Sequence, residues 1–400
     1  MSVIKMQKAV LLVLSCLACP SITIAQQSNG GGIDVGPGKA YPSLEVKSFY
    51  DDNLLSQPAN ELETWGWGVA PGVSYELSDN IKRLTARWLL DAGYYDSSSI
   101  DNYVDNFLSA DFTTRPTDRF SAGLKGGFKD SHDPRGTGRS EGVGVVQTDP
   151  DEWHAFDVEG NAGYGLEAAS ARVEGTVGYI TKSYDNNRAA TYVRDRDDVY
   201  ASGRFFYRIG PKTSLVTEGR IADFQYDQTA PGSPTLDSTV YKVFGGVTWE
   251  ATAKTTGSIR IGYMKKDFDA LTRRDDSSFA WEAGISWEPR TYSTFRLDTA
   301  RNFEETNGIG DLIRKDTISV SWIHTWNDRV RTNAHIDYSN DSYTPTTRED
   351  DVVYGGVSLD YALRRWLIVT GAYRYEDRDS NTNLYDYQRN IFTVSIRLTL

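Results

Sequence analysis

Residues 278–287 read Ser-Phe-Ala-Trp-Glu-Ala-Gly-Ile-Ser-Trp, and a large or apolar side chain stands at every second position from Phe279 onward. These positions are Phe279, Trp281, Ala283, Ile285 and Trp287. Successive side chains of a β-strand point to opposite faces, so the pattern predicts a strand with one apolar and one more polar face. Strands of soluble proteins average about five to six residues. This longer run matches a tilted strand that crosses a lipid bilayer.

The same alternation recurs along most of the chain. It is plain in residues 120–129, 330–339 and 392–400. Short segments rich in Pro, Gly, Asn and Asp separate paired runs and predict tight turns. These turns are expected at residues 78–80, 115–118, 166–169, 210–212, 251–254, 289–291, 327–328 and 362–364.

Longer, acidic segments separate one pair of runs from the next, and the longest covers residues 130–152. Eight turns and nine loops give about eighteen strands (16–18). We therefore expect an all-β fold, namely a transmembrane antiparallel up-and-down β-barrel. Its short turns and both termini would face the periplasm, and its long loops would face outward.

Composition supports a barrel better than a set of soluble domains. The chain has 400 residues with 24 Tyr, 15 Phe and 10 Trp, yet its mean hydropathy is only −0.49. A barrel reconciles these values, because only every second strand residue faces lipid. Aromatic residues such as Trp65, Trp67, Trp287 and Trp326 cluster near predicted strand ends. We interpret them as interfacial girdles, although half-buried strand aromatics would give a similar pattern.

The N-terminus predicts export from the cytoplasm. Lys5 and Lys8 precede an apolar run, and the small-residue site at 23–25 suits cleavage of a signal peptide. We assign residues 1–25 to the signal peptide, 26–40 to a flexible periplasmic leader, and the remainder, 41–400, to the barrel. A lipoprotein signal ending before Cys16 is the alternative.

Charge and cysteine content restrict the partners of the mature chain. Both cysteines, Cys16 and Cys19, lie in the predicted signal, so no disulfide is expected after cleavage. The formal net charge is −12, and removal of Lys5 and Lys8 makes it −14. This acidity argues against nucleic acid as a partner. The expected partners are outer-membrane lipid, lipopolysaccharide and the barrel assembly machinery, which reads a last strand such as the one ending at Leu400.

Three short motifs carry a resemblance to a known family. They are Phe-Tyr-Asp-Asp-Asn-Leu at residues 49–54, Asp-Asn-Tyr-Val-Asp-Asn at 101–106 and Tyr-Gln-Arg-Asn-Ile at 387–391. In these motifs the chain resembles the putative β-barrel porin family that is the second to carry this name. Genes of that family are found beside capsule and exopolysaccharide export genes. The resemblance implies an outer-membrane porin of a Gram-negative bacterium that passes secreted polysaccharide, with periplasmic export components as partners.

The polar phase of the strands supplies candidate lumen-lining residues. Because the apolar phase would face lipid, the opposite phase would face the interior. Opposite charges on neighbouring strands could pair there and form a mixed lining suited to a neutral or zwitterionic solute. An interior that these residues merely solvate, or a plug that they hold, is an equal alternative. The candidates are Arg87, Asp91, Lys125, Glu159, Arg172, Glu174, Arg204, Glu218, Arg220, Arg260, Glu282, Arg296, Asp298, Arg331, Asp337, Arg374 and Glu376.

No recognisable catalytic or cofactor motif is present in the sequence. The histidines are His132, His154, His324 and His335, and none has a partner at a spacing typical of a hydrolase. We therefore predict no enzyme activity and no cofactor. Acidic clusters at 195–198, 275–276 and 349–351 could bind Ca²⁺ or Mg²⁺. They lack the spacing of a known calcium loop, and we assign no metal.

Three functions are compatible with this sequence. The leading one is a porin for a hydrophilic polymer, specifically exopolysaccharide or capsule. The second is a general diffusion porin for small sugars or ions, which would need a long loop able to fold inward. Residues 130–152, with four glycines, are the good candidate for such a loop. The third is a non-conducting structural or adhesion barrel.

Overall fold

The computed structural model describes residues 31–166, 168–252 and 254–400. Its strands form one antiparallel sheet that closes on itself, because β2 pairs with both β3 and β19. In chain order the strands are β1 (Ile33–Val35), β2 (Gly38–Asp51), β3 (Thr64–Ser78), β4 (Lys82–Tyr95), β5 (Tyr103–Thr114), β6 (Phe120–Asp133), β7 (Asp151–Tyr164), β8 (Ala171–Tyr184), β9 (Arg196–Gly210), β10 (Thr213–Tyr226), β11 (Ser238–Thr252), β12 (Thr255–Phe268), β13 (Asp276–Arg290), β14 (Ser293–Glu305), β15 (Leu312–Asn327), β16 (Val330–Thr344), β17 (Glu349–Arg364), β18 (Leu367–Ser380) and β19 (Tyr387–Thr399).

Strands β2 to β19 make the barrel, and the short β1 pairs only with the start of β2. The predicted eighteen-stranded barrel is therefore confirmed. The first barrel strand begins at Gly38, before the expected boundary at residue 41. The predicted signal peptide, residues 1–25, lies outside the described residues.

The two ends of the barrel differ in the length of their connections. At one end of the barrel, tight turns join β3 to β4, β5 to β6 and each later odd-numbered strand to the next strand. We call this end the turn end. The opposite, loop end carries the long connections, including residues 134–150 and a short helix α1 (Arg188–Thr191). The N–H of Leu400 donates to the carbonyl of Pro42 over 3.1 Å at the turn end. In the described part of the chain, no helix is both long and apolar enough to cross a bilayer.

The outer and inner faces of the wall differ in side-chain size and polarity. On β3, Trp65 and Trp67 are 60% and 49% exposed on the outer face, whereas the alternate positions include Gly68. A Cβ at Gly68 would lie 2.5 Å from Cε of Lys47 on β2. Because Gly68 has no side chain, Lys47 Nζ reaches Asp91 of β4 over 2.9 Å. Side chains that are two strands apart can meet in this way only on the concave, inner face of the wall.

The wall bends sharply where β11 meets β12. A Cβ at Gly246 would overlap the carbonyl oxygen of Ile259, and one at Gly262 would overlap that of Val243. Both glycines occupy the inner face, which a tight curve compresses. The missing side chains therefore let the two strands turn the corner.

Strand β14 separates from β13 near the loop end but stays paired with β15 to its last residue. It pairs with β13 only as far as Ala300, and its last residues, 301–305, lean over the inner faces of β10 to β13. Lys266 Nζ of β12 lies 2.5 Å from Oε1 of Glu305. Phe303 packs on an apolar patch inside the barrel formed by Phe244, Met264 and Ala280. The barrel interior is therefore narrowed on this side.

Replacement of Gly246 by Ala tests the bend. We expect Gly246→Ala to lower the free energy of unfolding by about 1–3 kcal/mol, because the added methyl overlaps backbone. A Cβ at the neighbouring Gly245 would meet nothing within 4 Å, so Gly245→Ala should change stability by less than about 0.5 kcal/mol. Urea unfolding in lipid vesicles, followed by Trp fluorescence, measures both. Equal losses would contradict the bend.

Candidate functional site

A chain of ion pairs crosses the inner wall from β8 to β13. Arg204 of β9 lies 3.6 Å from Glu174 of β8 and donates through Nε to Glu218 of β10 over 3.1 Å. Glu218 also accepts from Arg220 over 2.7 Å and from Arg260 of β12. We call this chain, together with Arg172 and Glu282, the inner belt. It places on one surface seven residues that the sequence predicted only one by one.

The inner belt ends in a bidentate contact that spans two intervening strands. Both Arg220 guanidinium Nη atoms donate to Glu282 of β13, over 2.6 and 2.9 Å. Arg260 Nη2 donates to the same carboxylate over 2.7 Å. Arg260 and Glu282 are only 5% and 7% exposed. Paired, planar contacts of this kind hold arginine and carboxylate in a fixed geometry, and the sharp bend at Gly246 brings them within reach.

Other predicted lining residues form separate local pairs. Lys125 Nζ lies 3.4 Å from Glu159; Arg172, whose Nη2 lies 3.2 Å from Glu174, belongs to the inner belt. Arg374 pairs with Glu376. Asp91 is bound by Lys47, which the sequence reasoning omitted.

The remaining candidates are not brought into the inner belt. Arg296 and Asp298 are about half exposed and 4.0 Å apart. Arg87 is exposed on β4. Asp337 lies 3.8 Å from His335, and Arg331 Nε has no hydrogen-bond partner among the described atoms. Their role as lumen-lining residues stays a prediction.

The long β6–β7 connection folds inward across the loop end. Near its start, Arg135 donates to Asp101 over 2.8 and 2.5 Å. Arg139 likewise donates to Asp151 over 3.0 and 2.8 Å. These hydrogen bonds raise the pKa of both arginines, so both anchors stay charged. We call residues 134–150 the inward loop.

The tip of the inward loop reaches a distant part of the wall. Glu141 accepts from Arg348 Nη2 over 2.8 Å and from Asn307 Nδ2 over 3.0 Å. Its other oxygen lies 3.1 Å from Arg378 Nη1 of β18. Counted in the shorter direction around the barrel, β18 is the sixth strand from β6. The inward loop therefore reaches across the loop end to strands six places away from β6.

The three motifs quoted from the sequence meet other strands at the loop end. Arg389 Nε donates to Asp51 over 3.0 Å, and Asn390 Nδ2 donates to Asp52 over 2.7 Å. These contacts join the last strand to the first. Asp101, from the second motif, holds the inward loop. Sequence reasoning did not identify Asp51, Arg389 or Asp101 as site residues, although their motifs were the available signal.

The histidines do not form a nucleophile and base pair in the described part of the chain. His132 Nδ1 and Ser131 Oγ both contact Asp105, each over 2.9 Å. The carboxylate is the middle member, whereas a nucleophilic triad needs the imidazole between the other two. His154 contacts Asp185.

Two of the acidic clusters are paired with arginines, and Asp275 of the third lies 3.8 Å from Lys265 Nζ. Asp195 binds Arg188 over 2.6 Å, and Asp350 binds Arg348 through Nε over 2.9 Å. Within residues 31–166, 168–252 and 254–400, no group of His, Cys, Asp and Glu has the arrangement of a metal site.

Loss of one carboxylate tests the inner belt. Glu282→Gln should leave Arg220 and Arg260 competing for Glu218 and lower the free energy of unfolding by about 1–3 kcal/mol. Asp298→Asn on the next strand removes a half-exposed charge and should cost less than about 0.5 kcal/mol. Urea unfolding of both variants in vesicles provides the measurement. The belt would not be a structural unit if both changes had the same effect.

Comparison with solved structures finds barrels of low identity. OccK2 (OpdF) of Pseudomonas aeruginosa has 10% identity and a TM-score of 0.48, over 90% of this chain and 98% of that one. A BenF-like porin from Pseudomonas fluorescens Pf-5 has 11% identity and a TM-score of 0.47, over 90% and 99%. The FrpB iron transporter from Neisseria meningitidis has 10% identity and a TM-score of 0.46. The match covers 87% of this chain and 63% of the transporter, so this chain spans less than two thirds of the transporter's length.

A search of curated proteins finds no match. A family model described as "Putative beta-barrel porin 2" matches residues 29–400, which is nearly the whole chain. The match includes all eighteen barrel strands and the three motifs. This chain belongs to that porin family.

Proposed function

We propose that this protein is an outer-membrane porin of a Gram-negative bacterium and that it passes hydrophilic solutes of limited size. Membership of a porin family and the closed barrel support a channel. The outer face carries exposed apolar residues such as Val177, Val243 and Ile261. A continuous band of this kind suits contact with lipid.

The inward loop is the observation that supports a limit on the size of the solute. It crosses the mouth at the loop end and is held on the far side through Glu141. A loop in this position reduces the width available to a solute, as the small-solute hypothesis requires. The inner belt contains four arginines and three glutamates, so its charge is nearly balanced. Such a wall favours neutral or zwitterionic solutes over strongly charged ones.

Passage of secreted exopolysaccharide or capsule is the second candidate. Family membership supports it through the association that the sequence resemblance implies. A polymer would need the inward loop to move away from β18. In this version, periplasmic export components and the polysaccharide itself are the partners, and the assembly machinery and lipopolysaccharide are partners in both.

Channel recordings and solute uptake test the first candidate. We expect purified protein in planar bilayers to conduct ions, because the barrel encloses a charged and wettable wall. Liposomes containing it should swell with monosaccharides and disaccharides and should exclude longer oligosaccharides. Absence of conductance in every condition would favour a structural or adhesion barrel. Swelling with long oligosaccharides would contradict the size limit.

Deletion of the gene tests the polymer candidate. If the protein exports polysaccharide, loss of the gene should remove surface polysaccharide while the cell-associated precursor accumulates. Complementation with the unaltered gene provides the control. Unchanged surface polysaccharide would refute polymer export and leave the small-solute channel.

A further inference from the structure

The contacts of Glu141 have the form of a binding site occupied by the protein itself. Three side chains from different elements surround its carboxylate: Arg348 before β17, Arg378 on β18 and Asn307 between β14 and β15. Glu141 is 7% exposed. Two guanidinium groups and an amide on one carboxylate are typical of carboxylate recognition. We call these three residues the cradle.

The cradle has more donors than Glu141 uses. Arg348 Nη1 and Arg378 Nε are buried and have no hydrogen-bond partner among the described atoms. Arg348 and Arg378 are only 5% and 6% exposed. Buried donors normally find acceptors. These unused donors are available to a ligand that carries more oxygen atoms than one glutamate side chain.

The Arg348 side chain of the cradle is held by groups other than Glu141. The Arg348 guanidinium lies between two rings, 4.2 Å from the centroid of Tyr343 and 3.6 Å from that of Tyr385. Asp350 also accepts from Arg348. With Asp350 in place, the two arginines keep one net positive charge when Glu141 leaves. That excess favours an anionic ligand over a neutral one.

The inward loop can release its tip while it keeps its stem. Arg135 and Arg139 bind Asp101 and Asp151, which lie outside the cradle. Gly142, directly after Glu141, has a φ of +70°, a conformation that suits glycine and a local change of direction. Loss of the Glu141 contacts therefore leaves both stem anchors intact.

We propose that the cradle binds the carboxylate of a small hydrophilic anion, and that this ligand displaces Glu141 and frees the inward loop. The proposal rests on the proposed channel function for its consequence, namely a wider mouth. The binding step itself involves only exchange of one carboxylate for another. A neutral sugar of the same size cannot make that exchange.

Direct binding is the first test, with glucuronate as the probe and glucose as the neutral comparison. Calorimetry on the folded, detergent-solubilised protein should show binding of glucuronate and none of glucose. Glu141→Ala removes the internal competitor and should tighten glucuronate binding at least about fivefold. Arg348→Gln should abolish it. Equal affinity of the unaltered protein and Glu141→Ala would overturn the displacement.

Release of the loop is the second test and needs no conductance. Elastase cleavage after Val143, identified by the mass of the fragments, should become at least about fivefold faster with glucuronate. In Glu141→Ala, cleavage should be fast without the probe. The exposed Asp149 lies in the same loop, and Asp149→Asn should behave like the unaltered protein. Heat-dependent gel migration confirms that each variant is folded.

Channel recordings separate this inference from the proposed function. If glucuronate binds and accelerates cleavage but neither the unaltered protein nor a variant conducts ions, the ligand-binding proposal is supported and the channel proposal is refuted. If the protein conducts but glucuronate alters neither cleavage nor binding, the cradle is refuted and the channel stands. If both hold, glucuronate and Glu141→Ala should each raise the size limit in liposome swelling.

Discussion

In hydrocarbon, each backbone N–H and C=O needs a partner within the protein, and the pairing of β2 with β19 completes that requirement here. This seam joins residues more than 300 positions apart, from Ser43 with Thr399 to Asp51 with Ile391. Side chains reinforce both ends of it. Arg397 binds Glu45 over 2.6 Å near the turn end, and Arg389 binds Asp51 near the loop end. This one long-range contact closes the sheet, whereas the remaining strands pair with their sequence neighbours.

Closure also explains the uneven use of side-chain volume on the inner face. A curved wall crowds its concave side, so glycines occupy tight places and long charged side chains bridge over them. Gly68 lets Lys47 meet Asp91, and the bend at Gly246 lets Arg220 meet Glu282. The same charges then serve two purposes. They satisfy one another across neighbouring strands, and they keep the interior surface compatible with water.

The sequence predicted the strands well, because side-chain alternation and turn chemistry are local properties. The stretch around Trp281 and the turn near Pro211 are examples, and the strand count followed from them. Partners across the barrel could not be predicted in this way. Glu141 and Arg348 are 207 residues apart, and their contact depends on the path of a loop without periodicity. The charged candidates were identified one at a time, whereas the inner belt depends on strand register and curvature.

The early separation of β14 from β13 has a consequence for the wall itself. Their ladder ends at the Glu282 and Ala300 pair, so the part of β13 nearest the loop end has a paired neighbour on one side only. Amide protons along that notch are not protected by a second strand, and hydrogen exchange should begin there. The barrel wall therefore has a lower local stability along a line that starts near the loop end and stops where the inner belt begins.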